Sequence, residues 1–355
     1  MDRDYSKITY DDAPWLAAAS ARAVCDAIGA GGHQIFYVGG CVRNALLGVA
    51  ASDVDMSTSA TPEQVIALAE AAGLKPIPTG IEHGTITVVS DGIGYEVTTF
   101  RRDVETDGRR AVVAFSDDIA DDARRRDFTM NAIYADADGA IVDPLGGMDD
   151  LRSRRVRFID NADQRIREDY LRALRYFRFF AWYGNTAEGL DAEALAAISS
   201  NLDGLETLSA ERVTAEMRKL LEAPDPSQAI AAMAQTGVLS TILTGSDIRF
   251  FLLMIHGADA LDRSPHWLGR LVALGGEETL ERLRLSKSEQ RQYQLIKAAA
   301  FEGVLLPTAA YEHGADIAVQ AYLIRCAIAE SMPDPNQIAQ LTDAAAQIFP
   351  IAASD

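Results

Sequence analysis

Strand-forming runs are confined to the first 145 or so of the 355 residues, and from about residue 160 onward the periodic segments read as helix. A chain patterned this way cannot extend one sheet along its length. It predicts an α/β head, a small mixed sheet with helices, followed by a long all-α body. The expected head covers 1–150 and helices the rest, with Asp225-Pro226, Pro265, Pro307 and Pro333-Asp334-Pro335 dividing the helices.

Within the head, residues 11–30 are Ala-rich with apolar residues at helical spacing, and Gly31-Gly32 stop the run. A short β-rich run at 35–38 ends at Gly39-Gly40, and 42–47 reads as a helix closed by Gly48. Residues 52–56 read as a strand, and Thr61 and Pro62 as the cap and first position of a helix. Runs at 85–90 and 95–100 flank Asp91-Gly92-Ile93-Gly94 and predict a hairpin, while 132–135 and 140–142 predict two more short strands. The stretch from Phe100 to Asp118, dense in charge around Gly108, reads as a mobile loop.

The net charge of −19 speaks at first against nucleic acid, because phosphate contacts need Lys and Arg. The charge is uneven, however. Residues 1–150 carry −13, residues 151–185 carry +5 and the rest −11, so one short basic segment sits inside an acidic chain. Any nucleic acid would be held by a narrow basic strip, with a salt dependence shallower than that of a protein making about 6–10 phosphate contacts. Three cysteines without close spacing give no disulfide framework or zinc knuckle, and suit a reducing cytoplasm. The first residues, MDRDYSK, are charged and do not read as a signal peptide, and no apolar run is long enough to predict a transmembrane helix.

Asp53 and Asp55 are spaced to point to one face of a strand. Two carboxylates on one face repel unless a divalent cation sits between them, and Glu96 in the hairpin run could supply a third from the neighbouring strand. Oxygen ligands around Mg²⁺ suit phosphoryl transfer, where metal ions hold the attacking and leaving oxygens. An isolated Asp-x-Asp is more often a solvated turn, and an isolated Gly-Gly a plain tight turn. Here Gly39-Gly40 follow an apolar strand and open a helix carrying Arg43, with the paired acids thirteen residues on. Glycines let backbone N–H groups approach phosphate, and a helix N-terminus favours anions. No Gly-x-x-x-x-Gly-Lys-Ser/Thr phosphate loop is present.

These segments resemble the tRNA nucleotidyltransferase/poly(A) polymerase family of the DNA polymerase beta-like nucleotidyltransferase superfamily, and class II CCA-adding enzymes in particular. GGCVRNALLGVAASDVDMST resembles the first motif, RRRDFTMNA (124–132) the second and DPLGGMDDL (143–151) the third. EDYLRALRYFRF (168–179) resembles the nucleotide-selecting helix and ERVTAEMRKLL (211–221) a later neck helix. The five motifs in order span roughly residues 35–221, and the resemblance implies a nucleotidyltransferase head over 1–150, a helical neck over 151–222 and a helical, tRNA-binding body and tail over 223–355. One position departs: the family usually has Asp after the Val-Arg of the first motif, where this chain has Asn44.

The resemblance implies Asp53, Asp55 and Glu96 as catalytic residues, with Mg²⁺ on Asp53 and Asp55. It implies nucleotide binding by Gly39, Gly40, Arg43, Arg126, Asp127, Asn131, Asp169, Arg172, Arg175 and Arg178. Asp169, Arg172, Arg175 and Arg178 recur every three residues, as a stripe on one helix, amid aromatic residues that argue for packing. By resemblance, Asp169 and Arg172 pair with the incoming base. A carboxylate only accepts and suits the exocyclic amine of C or A; Arg only donates and suits the unprotonated ring nitrogen beside it. U and G present the opposite pattern, and the mismatch costs a few kcal/mol, roughly 10²-fold in selectivity. Arg175 and Arg178 are left to meet the triphosphate or support the pair.

The function implied is template-independent addition of C, C and A to a tRNA 3′ end from CTP and ATP. The full-length loop after the hairpin implies competence for the final A. Alternatives within the family are a poly(A) polymerase or an enzyme adding only CC or only A. A non-catalytic RNA-binding protein is disfavoured by the intact Asp53, Asp55 and Arg43, and a metal-dependent phosphohydrolase by five scattered histidines. The expected partners are tRNA, ATP and CTP, with no membrane and no evident obligate protein partner, in the cytoplasm.

Overall fold

The computed structural model describes residues 5–50, 53–107, 110–261, 263–276 and 279–347. The chain forms two compact units, Met1–Asp169 and Tyr170–Asp355. Residues 151–169, part of the neck that the resemblance implies, pack with the first unit.

The first unit runs α1 (Ala19–Ala30), β1 (Ile35–Val38), α2 (Gly40–Leu47), β2 (Asp55–Thr58), α3 (Pro62–Ala71), β3 (Lys75–Gly80), β4 (Thr85–Ser90), β5 (Ile93–Thr99), β6 (Arg101–Asp107), β7 (Arg110–Phe115), α4 (Ile119–Arg124), β8 (Tyr134–Ala135), β9 (Ile141–Val142), α5 (Met148–Arg152) and α6 (Ala162–Glu168). Seven strands form one sheet in the order β3-β4-β5-β2-β1-β8-β9. The β2–β5 pair is parallel and its neighbours are antiparallel. Strand β4 alternates, burying Ile86 and Val88, and α1 buries Val24, Cys25 and Ile28. Burying each such side chain contributes about 1.5–3 kcal/mol. Helix α3 starts where Thr61 and Gln64 close a reciprocal capping box ahead of Pro62. Val38, Ala132, Tyr134 and Ile159 pack together at the β1–β8 end of the sheet.

Several boundaries differ from the sequence reading. The expected helix over 11–30 is a short 3₁₀ turn, Pro14–Ala17, then α1, because Ala18 is extended. The hairpin turn is two residues, Asp91-Gly92, since Ser90 pairs with Ile93. β3 was missed, because Pro76 and Pro78 argue against a strand; it lies at the sheet edge, where Pro is tolerated. The stretch read as a mobile loop is a two-stranded hairpin, β6–β7, with Gly108 outside the described residues. Alternating charge hid its pairing.

The second unit is helical: α7 (Leu171–Tyr183), α8 (Ala192–Ser199), α9 (Leu202–Leu205), α10 (Ala210–Leu221), α11 (Ser227–Gln235), α12 (Val238–Ile242), α13 (Ile248–Asp259), α14 (Trp267–Leu274), α15 (Thr279–Arg282), α16 (Lys287–Phe301), α17 (Leu306–His313), α18 (Ala315–Ile328) and α19 (Pro335–Ala346). α7 packs against α10 and α11, burying Leu174, Tyr176, Phe177 and Phe180. Cys25, Cys41 and Cys326 are buried free thiols. Among the described residues, no helix is long and apolar enough to cross a membrane.

Candidate active site

The sheet register brings the acids together. Val38 of β1 pairs with Asp55 of β2, and Asp55 pairs with Glu96 of β5 across the parallel junction. Register partners share a face, so the two carboxylates face one side. Asp53 precedes the strand rather than lying on it: β2 begins at Asp55, and Ser52 lies outside the described residues. Asp53, Asp55 and Glu96 nevertheless line one cavity of about 930 Å³, together with Trp15, Ala50 and Tyr95.

Burial, then the charge of Glu96, pushes the Asp55 carboxyl above the ordinary carboxylate range; Asp53 adds to the rise and Arg126 opposes it. Like charges held close in an all-oxygen set suit a hard divalent cation. Among the described residues, no three His, Cys, Asp or Glu side chains stand close enough to hold one ion. Glu96 is thus a charge neighbour of Asp55 rather than part of a preformed three-ligand cage. Two carboxylates still fit Mg²⁺, which keeps several waters and takes its remaining oxygens from substrate.

Gly39 forms the turn between β1 and α2 with φ 74° and ψ −124°, a backbone region that only glycine adopts comfortably. A Cβ there would stand 3.2 Å from Arg126 Nη1, so the turn and this guanidinium are close neighbours. Gly40 is the first residue of α2. Arg43, one turn on, is buried and donates to Asn131 Oδ1 (2.5 Å) and to Asn44 Oδ1 (2.8 Å from Nη2). Asn131 Nδ2 donates to Asp127 Oδ1 at 2.9 Å. First-motif and second-motif residues therefore form one network.

Arg126 is held by residues that sequence reasoning missed. It donates to Asp122 Oδ2 (3.1 Å) and Tyr134 Oη (3.2 Å), while Tyr134 itself donates to Asp122 (2.8 Å). Burial works against its charge, but Tyr134 and Asp122 outweigh burial and hold it protonated. Arg124 lies on the exposed side beside Asp121. The i,i+4 spacing of Asp122 and Arg126 on the α4 turn was the available signal.

The third motif braces the second. Buried Asp150 accepts from Thr129 Oγ1 (2.7 Å), Arg155 Nε (2.9 Å) and Arg157 Nε (2.8 Å). A Cβ on Gly147 would sit 2.2 Å from the Thr129 carbonyl oxygen, so only glycine permits this approach. The Asp143 carboxylate accepts from the Gly147 and Met148 amides.

Asp169 does not lie on the helix of the three arginines. It is extended (φ −154°, ψ 104°) at the break after α6, and α7 begins at Leu171. Arg172, Arg175 and Arg178 do form an i,i+3 stripe on α7, none of them fully exposed and Arg178 nearly buried. Arg178 is bound within the second unit: its Nε meets Glu216 Oε2 of α10 at 2.5 Å, and its guanidinium lies 4.5 Å from the centre of the Phe179 ring. Glu216 stands in the neck-helix motif and was not singled out from sequence.

Acids converging beside a glycine turn on a small mixed sheet, ahead of a helical unit, define a protein with a polymerase-type head. The family model described as "Poly A polymerase head domain" matches residues 35–157, and "Probable RNA and SrmB- binding site of polymerase A" matches 189–247. The crystal structure of Bacillus stearothermophilus CCA-adding enzyme in complex with CTP superposes with a TM-score of 0.76 at 31% identity, covering 92% of this chain and 82% of that one. The chain belongs to the tRNA nucleotidyltransferase/poly(A) polymerase family.

Human mitochondrial CCA tRNA nucleotidyltransferase 1 is 44% identical over 190 residues, 53% of this chain and 44% of that protein. The CCA-adding enzyme of Geobacillus thermodenitrificans is 43% identical over 216 residues, 60% of this chain and 52% of the enzyme. The chain thus spans about half the length of the curated relatives it matches.

Proposed function

We propose that this chain adds C, C and A to the 3′ end of tRNA from CTP and ATP, without a nucleic-acid template, releasing pyrophosphate. The observation that carries this reading is the convergence of Asp53, Asp55 and Glu96 on one cavity, with Val38, the residue before the Gly39 turn, paired with Asp55. Support comes from relatives named CCA-adding enzymes and from the 31% identical enzyme crystallised with CTP.

Asp53 and Asp55 hold the divalent cation that the family requires, here Mg²⁺, and Glu96 keeps the local field negative. When bound, the cation neutralises triphosphate charge and lowers the pKa of the attacking hydroxyl. The 3′ hydroxyl gives its proton to water as its oxygen bonds to the α-phosphorus, the bond from that phosphorus to the α–β bridging oxygen breaks, and pyrophosphate leaves with that oxygen. Gly39, Gly40, Arg43 and Arg126 receive the triphosphate, with Asp127 and Asn131 fixing Arg43. Asp169 accepts from the exocyclic amine of C or A and Arg172 donates to the adjacent ring nitrogen, leaving U and G mismatched. Arg175 serves the triphosphate, and Arg178 supports α7 through Glu216. Helices α11 to α19 hold tRNA, in the cytoplasm, and no obligate protein partner is invoked.

Extension of tRNAs ending before, within and after CCA, with each NTP offered singly, tests this reading. Two C additions from CTP followed by one A from ATP, and none from UTP or GTP, is the expected outcome. A poly(A) polymerase is the second reading, favoured by the description of the matched head model. A long A ladder would establish it.

A further inference from the structure

Asn44, where the family usually has Asp, uses both ends of its amide. Its Oδ1 accepts from Arg43 Nε (3.2 Å) and Nη2 (2.8 Å), while its Nδ2 donates to the Ala50 carbonyl oxygen at 2.9 Å. Its main-chain carbonyl also accepts from the Val49 amide at 2.8 Å. Val49 and Ala50 form part of the wall of the cavity that holds Asp53 and Asp55. On the other side, Arg43 continues through Asn131 to Asp127.

We infer that Asn44 is a positioning residue that joins the Arg43 network to the wall of the carboxylate cavity, a task that needs an amide. A carboxylate at this position accepts from Arg43 equally well but has no hydrogen to give, and would turn a lone pair toward the Ala50 carbonyl. The inference rests on the proposed function, which assigns nucleotide to Arg43 and the cation to Asp53 and Asp55. It extends that reading by separating the two halves of one side chain.

Asn44→Asp and Asn44→Ala separate them experimentally. Calorimetric titration of the full chain with Mn²⁺, and separately with CTP in the absence of divalent metal, reads each half without turnover. Asn44→Asp should weaken Mn²⁺ binding roughly fivefold, as for loss of one hydrogen bond, and leave CTP binding within about twofold of wild type. Asn44→Ala should weaken both by roughly fivefold. Wild-type Mn²⁺ affinity in Asn44→Asp, or equal weakening of both ligands in it, would overturn the inference. If Asn44→Asp fails to fold, as judged by circular dichroism, unchanged Mn²⁺ affinity in Asn44→Ala overturns it instead. Wild-type chain that adds no nucleotide to tRNA would refute the proposed function, an outcome distinct from either.

Discussion

Arg178 and Glu216 offer a sharp test of how α7 is held. Their side chains are 12% and 8% exposed, and Nε and Oε2 are 2.5 Å apart. Glu216→Ala leaves a nearly buried guanidinium without its carboxylate, and breaking one side of a buried pair costs about 3–5 kcal/mol. The Phe179 ring, 4.5 Å from the Arg178 guanidinium carbon, still offers a cation–π contact, which places the expected loss at the lower end. Replacing both residues with apolar ones (Arg178→Met with Glu216→Leu) removes both buried charges and should return stability to within about 1 kcal/mol of wild type. Urea unfolding followed by circular dichroism measures each member of the cycle, and CTP incorporation on tRNA is measured in parallel. A brace predicts that the double variant regains both stability and incorporation. The reasoning is refuted if Glu216→Ala costs less than about 1 kcal/mol, or if the double variant is as unstable as the single one. A stable double variant that incorporates no nucleotide would instead return Arg178 to direct nucleotide contact.

Further outcomes follow from the head. Burial and Glu96 raise the Asp55 carboxyl pKa, so this group favours the folded state in acid and loses that contribution as pH rises through the raised pKa. Asp55→Asn should therefore melt higher than wild type at neutral pH without divalent metal, with the difference vanishing below the ordinary carboxylate range, while nucleotide incorporation is lost. Gly39→Ala forces a side chain into a glycine backbone region beside Arg126, at a cost of about 1–3 kcal/mol, and should both lower the melting temperature and raise the KM for CTP. On the proposed assignment Arg172→Ala removes one of the two groups that reject U and G while Asp169 still opposes the uracil carbonyl, and misincorporation of UMP relative to CMP should rise by roughly tenfold in single-nucleotide extension.

The sequence carried the motif residues because their chemistry is local. Glycine before a helix start, paired acids two residues apart and a Thr61-Pro62 cap are all readable from neighbours in the chain. It misplaced Asp53, because a two-residue spacing is equally compatible with a strand and with the residues leading into one. It misplaced Asp169 for a related reason: an every-third-residue pattern shows no break when the residue at the break is polar. The β6–β7 hairpin was hidden by its charge, since strand signals read apolar alternation. What sequence could not give was the set of partners from far along the chain: Tyr134 and Asp122 on Arg126, Asp150 beneath Thr129, and Glu216 against Arg178. Such pairs exist only once the sheet register and the helix packing are set.

The most direct test of the central claim is incorporation of CMP and AMP, with pyrophosphate release, by wild type and Asp53→Ala on tRNA lacking its terminal CCA. Wild type should add C, C and A with one pyrophosphate per addition, and Asp53→Ala should add none while keeping its fold. Normal addition by Asp53→Ala would show that the carboxylate cavity is not where the chemistry happens.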